Sequence, residues 1–284
     1  MKIERLELKH KELLLERLNS ADTSLSEYSF PNLYLFREAH DYHVIDDREV
    51  FVRGRTYDGY DYIMPASDIR GMDYDYVKGL MREVDFMFPV PEDWLSFFNP
   101  EECSFSCREG DSDYVYTVQK MSTYPGRRLH KKRNLLKQFT ETYRHDAKPL
   151  TRELLKDAAL ILRDWQAESG VDESQTDFSP CLEALDLYEE LVLCGGIYYA
   201  DGEPAGFIVG EELNSDTFAV HFAKASTRFK GIYQYIYSSF AGILPPKYIY
   251  LNFEQDLEKD VLKLSKASYH PDLMLKKMRV SLGR

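Results

Sequence analysis

Cysteine is scarce and irregularly placed. Its four copies, Cys103, Cys107, Cys181 and Cys194, are spread through a chain of 284 residues. Only Cys103 and Cys107 stand close enough to approach each other, and no second pair at ligand spacing accompanies them. That excludes a disulfide framework and supports reduced structural thiols with no metal site. Long apolar runs are missing too. None approaches the ~18 residues that a membrane-spanning helix requires, and the opening Met1-Lys2-Ile3-Glu4-Arg5 lacks the apolar core of a signal peptide. A soluble, cytoplasmic protein is expected. Positive charge is in deficit, with a formal net charge of −12. Such acidity argues against nonspecific coating of nucleic acid, though not against a local basic site. No convincing Ser-His-Asp, Walker-type or dinucleotide pattern is present.

What is present is a mixture of helix and strand signals. Tyrosine is abundant, 21 copies against 2 tryptophans, as suits half-buried sheet surfaces whose hydroxyls reach water. In the first part, His10–Leu18 reads as a helix. Leu33–Arg37, His43–Ile45, Glu49–Arg53 and Tyr60–Met64 read as strands, with turns at Asp46-Asp47 and Asp58-Gly59. Tyr74–Val84 is a predicted helix and Phe86–Val90 a short strand. The polar stretch Glu101–Asp113 is the best linker, so domains are expected at 1–112 and 113–284.

The second part is clearer. Asp113–Lys120 reads as a strand and Arg127–Tyr143 as a helix. In Thr151–Ser169, Leu154, Ala158, Ile161 and Trp165 recur at helical spacing, with Thr151 as cap and Gly170 as stop. Ser179-Pro180 opens a further helix to Leu193. The period then changes to two. Gly196–Ala200 and Ala205–Gly210 flank the hairpin signal Asp201-Gly202, and Thr217–Lys224 is a third strand. A helix over Lys230–Ile243 crosses to the strand Tyr248–Phe253, which suggests a parallel neighbour. A helix over Leu257–Ser268 and a strand over Leu273–Val280 close the chain.

That order of elements resembles the GNAT acyltransferase fold. There, a turn before the central helix offers backbone N–H groups to the pyrophosphate of coenzyme A. Arg228-Phe229-Lys230-Gly231-Ile232-Tyr233 matches the family pattern at Arg228 and Gly231, whereas Tyr233 stands where a small residue is usual. A second resemblance covers much of the chain. Gly126-Arg127-Arg128-Leu129-His130-Lys131-Lys132-Arg133-Asn134 and Asn252-Phe253-Glu254-Gln255-Asp256-Leu257 look like segments of the C-terminal domain of phosphatidylglycerol lysyltransferases. Tyr28-Ser29-Phe30-Pro31-Asn32-Leu33 and Ser268-Tyr269-His270-Pro271 fit its free-standing members. This resemblance implies an α/β (α+β) fold of two tandem GNAT-like domains, related to Fem-type aminoacyl transferases, each a mixed, mostly antiparallel sheet flanked by helices. In membrane-bound relatives the activity is transfer of an aminoacyl group from tRNA to a lipid headgroup.

Several residues then stand out. Arg127, Arg128, Lys131, Lys132, Arg133 and Lys137 fall within eleven residues that hold no acid. With His130 and Asn134 they form a candidate clamp for polyphosphate, a tRNA backbone or an anionic lipid headgroup. The plainer reading is a solvated helix face. Tyr248, Tyr250, Asn252 and Glu254 alternate onto one strand face. Glu254 is the candidate general base for an amine acceptor, and Asp256 a helix cap. Tyr269 is a candidate proton donor to a leaving group, or part of a turn. His221 is a third catalytic candidate, although a strand histidine is more often structural. Arg228, Lys230, Gly231 and Asn252 are expected on the donor side. The function expected is acyl or aminoacyl transfer, from acyl-CoA or aminoacyl-tRNA to an amine or hydroxyl. The alternative is a GNAT-like module without catalysis that binds an anion through residues 127–137.

Overall fold

The structure, a computed structural model, describes residues 1–283. In chain order the first elements are β1 (Lys2–Arg5), α1 (Lys11–Ser20), α2 (Phe30–Leu35), α3 (Arg37–His40), β2 (His43–Asp46), β3 (Val50–Arg55) and β4 (Asp61–Pro65). Next come α4 (Tyr74–Met81), β5 (Phe86–Val90), β6 (Cys103–Ser106), β7 (Asp113–Thr117), α5 (Val118–Thr123), α6 (His130–Thr142) and β8 (His145–Pro149). The remainder are α7 (Leu155–Ser169), α8 (Phe178–Asp186), β9 (Cys194–Ala200), β10 (Glu203–Glu212), β11 (Thr217–Ala225), α9 (Ile232–Ile243), β12 (Tyr250–Asn252), α10 (Asp260–Ala267), β13 (Leu273–Leu275) and β14 (Met278–Leu282).

The chain forms two compact units. The first holds residues 1–114, 254–267 and from 273 onward; the second holds 115–253 and 268–272. The first contains a seven-stranded sheet in the order β1-β2-β3-β4-β5-β14-β6. Its pairs are antiparallel except β4 with β5. The second contains the run β7-β12-β11-β10-β9-β8, antiparallel except β11 with β12. The same motif builds both units: a three-stranded meander, a helix, then a parallel strand. In the first it is β2-β3-β4, α4, β5; in the second, β9-β10-β11, α9, β12. Each parallel strand then gains an antiparallel neighbour from a distant part of the chain, β14 in the first unit and β7 in the second. This is the tandem GNAT-like arrangement expected, with mixed sheets flanked by helices.

Local chemistry explains where expectation and structure differ. Leu33–Arg37 is helical rather than a strand. Ser29 caps α2 by accepting a bond from the Asn32 N–H, and Pro31 sits in the first turn, where a proline's missing N–H costs nothing. Glu101–Asp113 holds β6, which pairs with β14. The strand expected to reach Lys120 stops at Thr117, whose hydroxyl caps α5. Arg127–Tyr143 is helical from His130 only, and in Thr151–Ser169 a 3-10 turn over Arg152–Leu154 precedes the α-helix, with no cap bond from the Thr151 side chain. Gly170 ends α7 at φ 67°. α8 stops at Asp186, short of the expected Leu193. Asp256 accepts the Glu258 N–H and the Tyr114 hydroxyl, and α10 begins four residues later, so Asp256 is a turn residue.

The first unit also buries charge. The Lys277 side chain is 0 % exposed and lies 2.6 Å from Asp113 and 2.7 Å from Glu27. The Ser26 hydroxyl and the Gln255 carbonyl complete its shell at 3.0 and 2.7 Å. Burial pushes the Glu27 carboxyl up, against the pull of Lys277. Removing one partner of such a buried cluster leaves uncompensated charge, at a cost of about 3–5 kcal/mol. Lys277→Met should therefore lose about that much stability in urea unfolding followed at Trp94, in a Trp165→Phe background. A loss under about 1 kcal/mol would show that the cluster contributes little.

Candidate functional site

In the second unit β11 and β12 run together for three residues only, Thr217–Ala219 beside Tyr250–Asn252. β11 then continues to Ala225 without its parallel neighbour. At this point it also bulges: Val209 faces Phe222 and the next residue, Gly210, faces Val220, so His221 is the extra residue. Bulges cluster beside functional sites because they re-aim side chains. The His221 ring is fully buried and its Nε2 lies 2.9 Å from Glu211. The strand pair thus separates next to a bulge.

The polar side chains at the end of β11 and in the turn after it are paired within the unit. The Lys224 ammonium lies 2.6 and 2.8 Å from the two carboxylate oxygens of Asp177 and 3.8 Å over the Trp165 ring. Next along, Glu168 fills the turn that leads into α9. Its carboxylate accepts the Ser226 hydroxyl, the Thr227 N–H at 2.8 Å and the Thr227 hydroxyl at 2.9 Å. Partial burial works against ionisation, but these donors outweigh it and hold Glu168 below its ordinary carboxyl value. Burial pushes the pKa of the Tyr233 hydroxyl up to about 12.

Gly231 serves packing in this turn. It adopts φ 92°, and a Cβ there would lie 2.3 Å from the Leu135 carbonyl of α6. Arg228 is ion-paired to Glu203 at 2.6 Å, and Lys230 is exposed. The turn expected to cradle a diphosphate thus carries a carboxylate of its own, and its matching glycine admits a neighbouring helix.

The basic segment divides in two. Arg127, Arg128, His130, Lys131 and Asn134 are exposed, with the His130 ring bonded to the Arg127 carbonyl. Arg133 turns back to donate to the carbonyls of Tyr124 and Gly126; it pins the turn before α6. Lys132 also turns inward. Its ammonium lies 3.7 Å over the Tyr269 ring and 2.7 Å from the Ser268 hydroxyl, and burial lowers its pKa to about 8. The Tyr269 hydroxyl accepts the Gln234 amide at 2.7 Å, while the Gln234 carbonyl accepts the Tyr124 hydroxyl. Tyr116, Tyr124 and Tyr237 pack their rings around Tyr269.

Of the sequence-predicted residues, the structure brings Lys132 and Tyr269 into contact. Asn252 is buried in β12, in register with Ala219 and Val115. The expected polar row breaks at Glu254, which leaves the strand with φ 59°. Glu254 belongs to the first unit, is 9 % exposed, and accepts the Asn32 side-chain amide at 2.8 Å. The sequence reading missed Glu168, Asp177, Lys224, Glu211 and Gln234. A signal existed for one of them: Lys224 interrupts the apolar alternation of β11. Glu168 and Asp177 look like any surface acids.

Two units in tandem, each a meander, a helix and a parallel strand, define a GNAT-like class of protein. More narrowly, the chain belongs to the family described as phosphatidylglycerol lysyltransferase, C-terminal, whose model matches residues 19–280. It is 25 % identical over 222 residues to an uncharacterised protein of Mycoplasmoides gallisepticum, covering 73 % of this chain and 70 % of that one. A conserved protein of unknown function from Bacteroides thetaiotaomicron superposes with TM-score 0.84 at 24 % identity, over the whole of both chains. L-PGS from Bacillus licheniformis superposes with TM-score 0.63 at 12 % identity, covering 99 % of this chain and 94 % of that one. These likenesses establish the fold, and the family is aminoacyl-transferase-like. No helix among the described residues is long and apolar enough to cross a membrane.

Glu168 sets a direct test of the filled turn. In Glu168→Ala the Ser226 and Thr227 donors lose their internal acceptor and become available to an anion. Inorganic pyrophosphate should then raise the melting temperature of the variant and leave the wild type unchanged. Equal shifts in both proteins would show that Glu168 does not occupy the anion position.

Proposed function

We propose that this protein transfers an aminoacyl group from an ester donor, the 3′ end of an aminoacyl-tRNA, to an amine or hydroxyl acceptor. The observation that carries the choice of donor is Glu168 in the turn before α9. A coenzyme A diphosphate placed there would have to displace a carboxylate bonded by three donors and would meet the Tyr233 ring. Bringing a diphosphate to an ionised carboxylate is repulsive, and the repulsion grows as water is excluded. Family membership supports the same donor. Transfer from an activated ester asks mainly for positioning and proton handling, which accords with a site built of hydrogen-bonding side chains.

In this reading the exposed face Arg127, Arg128, Lys131 and Asn134 holds phosphates of the tRNA end. The donor carbonyl approaches the edge of β11 beyond Ala219, where His221 is the proton-handling group to test; Tyr269, packed against α9 and Lys132, is a second. Glu254 is not assigned a role here: it belongs to the first unit and accepts the Asn32 amide there.

A melting-temperature panel tests the donor. Ligands that bind only the folded state stabilise by mass action. Bulk charged tRNA should raise the melting temperature by several degrees at low salt, and the rise should shrink steeply as salt increases. Acetyl-CoA should produce none. The opposite result, a shift with acetyl-CoA and none with tRNA, would overturn the reading. The combined reversal Arg127→Glu, Arg128→Glu and Lys131→Glu should abolish the tRNA shift without lowering the melting temperature of the free protein.

A further inference from the structure

Lys132 is unusual among the lysines drawn into the two units. Lys224 meets Asp177, Lys277 meets Glu27 and Asp113, and Lys120 meets Asp272 at 2.7 Å. Lys266 is held by the carbonyls of Glu254 and Gln255. Lys132 has a ring face and a hydroxyl as partners, Tyr269 and Ser268, and among the described residues no carboxylate lies within ion-pair distance of it. Its chain neighbours Arg127, Arg128, Lys131 and Arg133 are all cationic. A half-buried ammonium without a counter-charge, on a cationic segment, gives up its proton readily, and the same segment attracts small anions.

We propose that Lys132 is an acylation site, whose amine takes an acyl group from an acyl phosphate. The neutral amine attacks the carbonyl carbon and a C–N bond forms. The bond from carbonyl carbon to phosphate oxygen breaks, and phosphate leaves with the electron pair. The surplus proton on nitrogen passes to water. The product is a neutral amide, which can no longer act as a cation over the Tyr269 ring. Loss of that charge would loosen Lys132 from Tyr269 and Ser268 and weaken the anion-binding face of α6. Only this last consequence rests on the function proposed above.

Magnitudes favour Lys132 over its neighbours. With a pKa of about 8, about a quarter of the amine is neutral at pH 7.5, against about one part in 800 for a lysine at about 10.4. Nucleophilicity falls with basicity. If amines follow the thiolate slope, the loss is about twelvefold over that interval. A net advantage of about fifteenfold remains.

The test uses the intact wild-type chain and acetyl phosphate, with initial acetylation rates at each lysine read by mass spectrometry between pH 6.5 and 9.5. Lys132 should react about tenfold or more faster than the adjacent Lys131 at pH 7.5. Its rate should level off above pH 8 to 8.5 while that of Lys131 keeps rising. Ser268→Asp, which sets a carboxylate beside the ammonium where the hydroxyl lies now, should favour the charged form and move the Lys132 profile toward that of Lys131. Equal rates and parallel profiles for the two lysines would overturn the proposal. Since acetyl phosphate is not the donor proposed for catalysis, that failure would leave the aminoacyl-transfer reading standing.

Discussion

The first unit depends on one buried ammonium. Lys277 lies just before β14, the strand that sits between β5 and β6 and so joins the C-terminal end of the chain to a sheet begun at its N-terminus. Its partners come from three other places: Ser26 and Glu27, Asp113, and Gln255. A charge with no water around it must be satisfied by the protein, and here four distant segments converge to do so. Arg279, two residues on, repeats the device with Asp58 and Asp111. The C-terminal strand is therefore fixed by electrostatics as well as by its ladder. The segment that carries Glu254 and Gln255 is held in the first unit by the same contacts.

This arrangement explains what the sequence could and could not reveal. Elements whose signal is local were legible. Asp201-Gly202 announced the β9–β10 hairpin, the apolar spacing of Ala158 and Ile161 announced α7, and the change of period announced the meander. The tandem duplication was legible only through family resemblance, because each unit takes its last strand from elsewhere in the chain. Lys277 and Arg279 fall inside the predicted strand Leu273–Val280, but nothing local tells a buried lysine from an exposed one. Ser29-Phe30-Pro31 was hidden for a different reason: the apolar run after it suits a strand, and only the cap decides for helix.

The candidate site shows the same division. The basic run 127–133 was visible as charge, yet its division into an exposed face and two inward-turned residues depends on the Tyr124–Gly126 turn and on Tyr269. The Arg-x-x-Gly match at 228–231 was visible as a motif, but the side chains that surround it were not. Gly231 is required by the approach of Leu135, and the turn's donors are satisfied by Glu168, more than fifty residues away in sequence. A motif fixes backbone shape; what the shape holds is decided by side chains that the motif does not include.

The central claim is that an aminoacyl ester, and not a coenzyme A thioester, is the substrate of this site. The most direct measurement uses bulk tRNA charged with radiolabelled amino acids, mixed with the protein and a panel of acceptors: anionic phospholipid vesicles, amines and hydroxyl compounds. The account predicts that label leaves the tRNA faster than by spontaneous hydrolysis and appears in an ester- or amide-linked product, and that added coenzyme A does not compete. Labelled acetyl-CoA giving product with the same acceptors, while charged tRNA gives none, would contradict it.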